Sequence, residues 1–219
     1  MDMASGLMSA LYMISTSLLY PVILLLLGLI GWSMMLLGSF ISEYSTRNRD
    51  IKKIKKGCIV AKKYINIGEF SKAVETLKNC GSNYFIANFI NELTESIKET
   101  TFLIESEKLL HDYEIKIAKE LEKTRLVARI GPMLGLMGTL IPMGPALIGL
   151  ASGNIQQLAN NLVIAFSTTV LGLMVGGIGY GISLIKKRWY IQDLSDMEYI
   201  VDMLKFKGDE SEKTVYNFG

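Results

Sequence analysis

The sequence predicts an all-α membrane protein with three transmembrane helices and long helices that extend into the cytoplasm. The first observation is a pair of long runs without a charged residue or histidine, residues 3–42 and 130–185. The second is that all 23 Lys and Arg residues lie outside these runs. Because a spanning helix needs about 20 apolar residues, the second run is long enough to cross a membrane twice, and the strongly apolar part of the first run, about Leu18 to Ile41, crosses it once.

The chain begins with an expected outer amphipathic segment, residues 1–16, followed by the first transmembrane helix at 17–42. Apolar residues recur at helical spacing in the outer segment, which suits either an interfacial helix or an extension of the first span. No Lys or Arg precedes the apolar run, and the run is too long for a signal peptide. We therefore expect a span that is retained.

Residues 43–128 are predicted to form a cytoplasmic helical domain. Its basic start, RNRDIKKIKK, is typical of a topology anchor, with contact to anionic membrane lipid as the alternative. Two short helices are expected next, and Gly81 ends the second of them. From Asn83 the helical pattern continues to the membrane without proline or glycine. We expect this part to form one stalk of about 45 residues, about 65 Å long, that continues into the second span.

The long uncharged run contains the second transmembrane helix at 129–151, a polar turn within 152–159 and the third transmembrane helix at 158–185. Three cationic residues end the third span, and residues 186–219 are expected to form a cytoplasmic C-terminal helix, to Phe206, and a disordered tail. Since Lys and Arg are retained on the inside, the N-terminus is predicted outside and the C-terminus inside a cell inner membrane.

Small residues form a stripe on each of the last two spans. Gly131, Gly135 and Gly138 share one side of the second span, and Gly172, Gly176 and Gly179 share one side of the third. Such stripes let helix backbones approach closely in lipid. They are expected to serve helix packing, either within one subunit or partly against a neighbouring subunit.

Four hydroxyl residues of these spans are the candidate ion-pathway or partner-facing residues: Thr139, Ser167, Thr168 and Thr169. Each is expected either to bond its own helix backbone or to line a narrow pore. The spans contain no carboxylate, histidine or lysine, whereas a proton or cation pathway usually needs an ionisable group. Either the chain moves no ions or a partner supplies the charged group.

The remaining candidates for chemistry are few. The sequence has no phosphate-binding loop, zinc motif or catalytic triad pattern, so we expect neither an enzyme nor a bound cofactor, metal or nucleic acid. The two cysteines, Cys58 and Cys80, are expected to be small buried side chains. His111 is expected on the surface.

Two segments, RIGPMLGLMGTL and AFSTTVLGLMVGGIGY, resemble the spans of the MotA/TolQ/ExbB proton-channel family. The first follows the approximate family pattern P-x-x-G-L-x-G-T-V except for Leu140 at its last position, and the second follows A-L-x-x-T-x-x-G-L except for Phe166 at its second position. The matching residues are Pro132, Gly135, Leu136, Gly138, Thr139, Ala165, Thr169, Gly172 and Leu173. With the expected topology, which is that of TolQ and ExbB, the resemblance covers about residues 15–205.

This resemblance implies a stator of a rotary motor that couples H⁺ or Na⁺ flow to mechanical work. It implies a homopentamer around two copies of a single-span ExbD/TolR/MotB-like protein, whose Asp carries the ion past Thr139 and Thr169. The sequence departs from the family where many relatives have a glutamate, which is Ile164 here, and where a later proline is common, which is Ile178. Pro142 and Pro145 are additions that we expect to kink the second span.

Two other classes of protein are compatible with the residues. One is a membrane scaffold whose glycine stripes only assemble a helix bundle. The other is a small-solute channel or a non-motor transporter subunit. A neighbouring gene for a single-span protein with an aspartate early in its apolar segment favours the stator, and a neighbouring ATPase gene favours the transporter.

Overall fold

The computed structural model describes residues 3–47, 49–81, 83–95 and 102–205. Every element in this part of the chain is an α-helix. The seven helices are α1 Met3–Ser17, α2 Leu19–Thr46, α3 Ile51–Ile67, α4 Phe70–Lys78, α5 Tyr84–Glu95, α6 Phe102–Ala151 and α7 Ile155–Leu204. Three stretches are long and apolar enough to span a membrane, Ser9–Thr46, Phe102–Ala151 and Ile155–Leu204. The predicted fold class is confirmed.

The chain divides into two compact units. The first, the membrane unit, comprises residues 1–43 and 120–186, and the second, the polar unit, comprises residues 44–119 and 187–219. Both α6 and α7 contain 50 residues and contribute to each unit. At 1.5 Å per residue such a helix is about 75 Å long, more than twice the hydrocarbon thickness of about 30 Å.

In the membrane unit, α1 is nearly continuous with α2. Only Leu18 separates them, and its amide donates to the carbonyl oxygen of Ile14 at 3.2 Å. The irregularity precedes Pro21, which has no backbone N–H to donate to the carbonyl four residues earlier and whose ring crowds that carbonyl. The α2 side chains Val22, Leu26 and Leu29 are buried in one cluster with Val127, Leu134 and Val175 of α6 and α7.

The α6 helix is uninterrupted through Pro132, Pro142 and Pro145. The turn to α7 is shorter than expected, because it comprises residues 152–154 and α7 begins at Ile155. Gly153 adopts the left-handed conformation, φ +72°, that ends α6. The Asn154 side chain accepts a hydrogen bond from the Gln157 amide at 3.0 Å. This cap starts α7 within the polar stretch that the sequence suggested was a loop.

The polar unit is held by a core that α3, α4, α5 and the outer parts of α6 and α7 share. Asp50 caps α3 by accepting from the Lys53 amide at 3.0 Å, and Gly68, at φ +82°, ends it. Among the buried core residues are Ile54, Cys58, Ala61, Leu77, Ile86, Phe89, Tyr113, Met197 and Ile200. The predicted two short helices correspond to α3 and α4, but α4 ends at Lys78 and is capped by Asn79 rather than by Gly81.

The predicted single stalk is wrong, because α5 folds back against α6. The Tyr113 hydroxyl donates to Glu92 Oε1 at 2.9 Å, and the rings of Phe89 and Tyr113 lie 5.3 Å apart. In one straight helix residues 89 and 113 are separated by about 36 Å. The apolar face of α5 needs a partner, and the sequence carries no proline or glycine to mark the reversal. Residues 96–101 lie outside the described residues.

The third span and the C-terminal helix form one element, α7, which continues through Lys186 to Leu204. The three cationic residues end the apolar stretch without ending the helix. Beyond them the buried residues Tyr190, Met197, Ile200 and Val201 continue a helical stripe. Phe206 and the predicted tail lie outside the described residues.

Candidate functional site

A close approach of two backbones in the membrane unit is built from glycines of α6 and α7. A Cβ atom added to Gly172 would lie 2.6 Å from the carbonyl oxygen of Gly131 and 2.7 Å from the Cα of Gly135. A Cβ on Gly131 would lie 2.8 Å from the Gly176 amide nitrogen. No side chain larger than hydrogen fits at these positions without moving a backbone.

The same contact extends along both helices. A Cβ on Gly138 would lie 2.5 Å from the Thr168 hydroxyl, and one on Gly179 would lie 2.8 Å from the Ala128 amide nitrogen. The structure thus places all six glycines singled out in the sequence between α6 and α7 of one subunit. By contrast, Gly177 of α7 faces open space within the described structure.

Within the described residues, two of the four candidate hydroxyls donate only to carbonyls of their own helix. Thr139 lies half-buried on α6, one turn beyond Gly135, and donates to the Leu136 carbonyl at 2.7 Å. Thr168 is buried against α6 and its hydroxyl lies 2.9 Å from the Ala165 carbonyl. Thr168 therefore belongs to the helix contact.

Thr169 and Ser167 lie on different faces of α7. The Thr169 hydroxyl lies 3.2 Å from the Ala165 carbonyl of its own helix and 3.5 Å from the Gly135 carbonyl of α6. Ser167 is exposed. At 3.6 residues per turn the two positions are about 160° apart around the helix. The structure brings Thr169 to the α6–α7 contact and leaves Ser167 away from it.

The uncharged spans end at an ion pair in the membrane unit. Lys186 Nζ lies 2.7 Å from Glu43 Oε2, and the Lys186 side chain is largely buried. These two residues are the first charges after the uncharged runs of α2 and α7. The pair ties α2 to α7 where both reach the end of the apolar region.

A second charged cluster, in the polar unit, is not apparent from the sequence. Arg47 Nη2 lies 2.7 Å from Asp193 Oδ1, and Arg49 forms two hydrogen bonds with Asp196, at 2.8 and 2.9 Å. Asn83 also donates to Asp193 Oδ1, at 2.8 Å. The partners are separated by more than 100 residues, so no spacing rule links them. In the sequence, the opposite charges of these side chains are the only indication that they pair.

Burial raises the pKa of several side chains in the polar unit. It raises the pKa of Asp193, with the neighbouring Asp196 adding to the effect and Arg47 opposing it. It also raises the pKa of Cys58 to about 12, so this thiol is held protonated. His111 is exposed and lies 3.1 Å from Glu114. Within the described residues no group of three or more His, Cys, Asp or Glu side chains is placed to hold a metal ion.

Together the fold and the glycine contact define a multi-pass membrane protein with a tightly packed pair of uncharged spans. The model of the MotA/TolQ/ExbB proton channel family matches residues 79–197, which is more than half of the chain. The chain belongs to this family and is a membrane subunit of the proton-channel type. The match is shorter than the span of the resemblance in the sequence, and no curated protein matches the chain.

Proposed function

We propose that this protein is the stator subunit of a rotary complex that couples H⁺ or Na⁺ flow across the inner membrane to mechanical work. In this proposal five copies surround two copies of a single-span ExbD/TolR/MotB-like protein. The single observation that carries the proposal is the family match over residues 79–197, which includes both uncharged spans and their connecting turn.

The composition of the spans supports a partner that carries the ion. Residues 130–185 contain no Asp, Glu, Lys, Arg or His, so this part of the chain has no group that binds and releases a proton at ordinary pH. An aspartate on a partner helix supplies such a group. The hydroxyls of Thr139 and Thr169 stabilise its carboxylate by hydrogen bonds without adding a charge that traps the ion.

The position of Thr169 supports its role on the ion path. Its hydroxyl is within reach of two carbonyls, Ala165 and Gly135, and the residue is only half-buried in the isolated subunit. A hydroxyl rotates between acceptors at little cost. Thr169 can therefore leave one carbonyl and donate to a passing carboxylate or hydrated ion.

The distribution of cations supports the orientation in this proposal. All Lys and Arg residues lie outside residues 3–42 and 130–185, and the turn at 152–154 carries none. By the positive-inside rule the N-terminus and this turn lie outside, while the polar unit lies in the cytoplasm.

The test begins with the intact complex. The tagged chain is purified from its own membrane in mild detergent and its copies are counted by native mass spectrometry. Five copies with a co-purifying single-span protein that has an aspartate in its apolar segment are expected. A monomer or dimer that persists in lipid, without such a partner, overturns the rotary proposal and favours a scaffold.

Ion flux through the reconstituted complex then tests the pathway. Thr169→Val keeps the shape and removes the hydroxyl, so flux is expected to be lost, while the hydrogen bond is worth only about 1 kcal/mol to folding. Ser167→Ala is the matched control, because it removes a hydroxyl from another face of the same helix. If Thr169→Val conducts as well as the parent, the hydroxyl only bonds its own backbone.

A further inference from the structure

Asp193 of α7 is fully buried in the polar unit, and its two carboxylate oxygens differ in their hydrogen bonds. Oδ1 accepts from Arg47 at 2.7 Å and from Asn83 at 2.8 Å. Oδ2 is also buried and has no hydrogen-bond partner among the described residues. A buried carboxylate oxygen without a donor is unusual, because desolvation of the charge is then uncompensated on that side.

The groups that face Asp193 come from three parts of the chain. Arg47 follows α2, and Asn83 precedes α5, whose first turn it caps by accepting from the Ile86 amide at 2.8 Å. The neighbouring Asp196, one turn further along α7, is paired with Arg49. Two cations and two carboxylates therefore face each other, and the balance is neutral only while Asp193 is ionised.

Arg47 is held by more than its ion pair. It donates to the Trp189 carbonyl at 3.1 Å, and its guanidinium carbon lies 5.0 Å from the centre of the Trp189 ring. The Arg47 side chain is only 10% exposed. If Asp193 becomes neutral, a nearly buried cation loses its counter-charge, and this state is unfavourable unless Arg47 moves to water.

The free oxygen gives the proton a place to bind. A proton that binds Oδ2 breaks no existing hydrogen bond, and Oδ1 still accepts the hydrogen bond from the Asn83 side-chain amide. Burial and the nearby Asp196 raise the pKa of Asp193 above its ordinary value of 3.8, against the opposing effect of Arg47. Because the folded-state pKa of Asp193 lies above 3.8, this residue lowers the free energy of unfolding progressively as pH rises from 3.8 to that folded-state pKa.

We propose that Asp193 and Arg47 form a proton-operated latch in the polar unit. When Asp193 is ionised, it holds Arg47 against Trp189. When Asp193 takes a proton at Oδ2, Arg47 is released to solvent. The polar unit thereby responds to acidity on its own side of the membrane, whether or not the membrane unit conducts ions.

Trp189 reports the state of the latch. The chain has two tryptophans, so Trp32→Phe leaves Trp189 as the only one. The purified full-length Trp32→Phe protein is titrated from neutral to acidic pH while Trp189 emission is recorded. One reversible transition is expected, with a midpoint above 3.8, the ordinary value for Asp193. Asp193→Asn in the same background is expected to abolish the transition and to show the acid spectrum at neutral pH.

Three further variants, with circular dichroism to verify folding, complete the test. Asp196→Asn is expected to lower the midpoint, because it removes a neighbouring negative charge. His111→Gln is expected to leave the transition unchanged, since His111 is exposed. Arg47→Gln is expected to remove the emission change, which also tests the latch if Asp193→Asn does not fold. Absence of a transition above 3.8, or a transition that persists in Asp193→Asn or Arg47→Gln, overturns the latch.

Discussion

Substitution of Gly172 by alanine tests how tightly α6 and α7 pack in the membrane unit. The new methyl group would lie 2.6 Å from the Gly131 carbonyl oxygen and 2.7 Å from the Gly135 Cα. Both neighbours are backbone atoms, which cannot rotate away. The helices must therefore separate by about 1 Å to restore ordinary contact distances.

The magnitude follows from two opposing contributions. Overpacking of this kind costs about 1–3 kcal/mol, and the better helix propensity of alanine returns up to about 1 kcal/mol. The net loss for Gly172→Ala is about 1–2 kcal/mol, a factor of about 5–30 in the ratio of folded to unfolded protein. Separation of the helices also weakens every other contact of the glycine stripe.

The assay is thermal unfolding in detergent, followed by circular dichroism, with Gly177→Ala as the matched control. Gly177 lies on the same helix and faces open space in the described structure. Its alanine variant is expected to be as stable as the parent or slightly more stable. If Gly172→Ala melts at the same temperature as Gly177→Ala, the close approach of α6 and α7 does not determine stability.

Three further outcomes are expected. In a background without native cysteines, Asn154→Cys should react with an impermeant thiol reagent in intact cells and Lys63→Cys should not; the reverse pattern contradicts the proposed orientation. Arg47→Ala should lower the free energy of unfolding by about 3–5 kcal/mol, because it leaves Asp193 buried without its cation. The double variant Arg47→Met/Asp193→Leu should regain much of the lost stability in the same unfolding measurement, and absence of this gain excludes the ion pair as the cause. Because burial raises the pKa of Cys58 to about 12, its thiol should react with maleimide only after denaturation, and rapid labelling of the native protein contradicts this burial.

The candidate site shows how far residue patterns extend. The six glycines at spacings of three and four were assigned to helix packing from sequence, but the alternative of a neighbouring subunit stayed open there. In the structure, Gly172 lies against Gly131 and Gly135 of the same chain. They also separate Thr168, which packs on α6, from Ser167, which is exposed. Helix geometry alone predicts that three consecutive hydroxyl residues point in different directions. Which of them contacts another helix depends on how the two helices pack.

The membrane class and the number of spans follow from the sequence alone, because the cost of charge in hydrocarbon acts on each segment independently of its neighbours. The family also follows from it, through short motifs in a fixed order. The return of α5 onto α6 and the ion pair between Arg47 and Asp193 became visible only in the folded chain. Those features depend on which faces pack together, and contacts between residues far apart in the chain leave no periodic pattern along it.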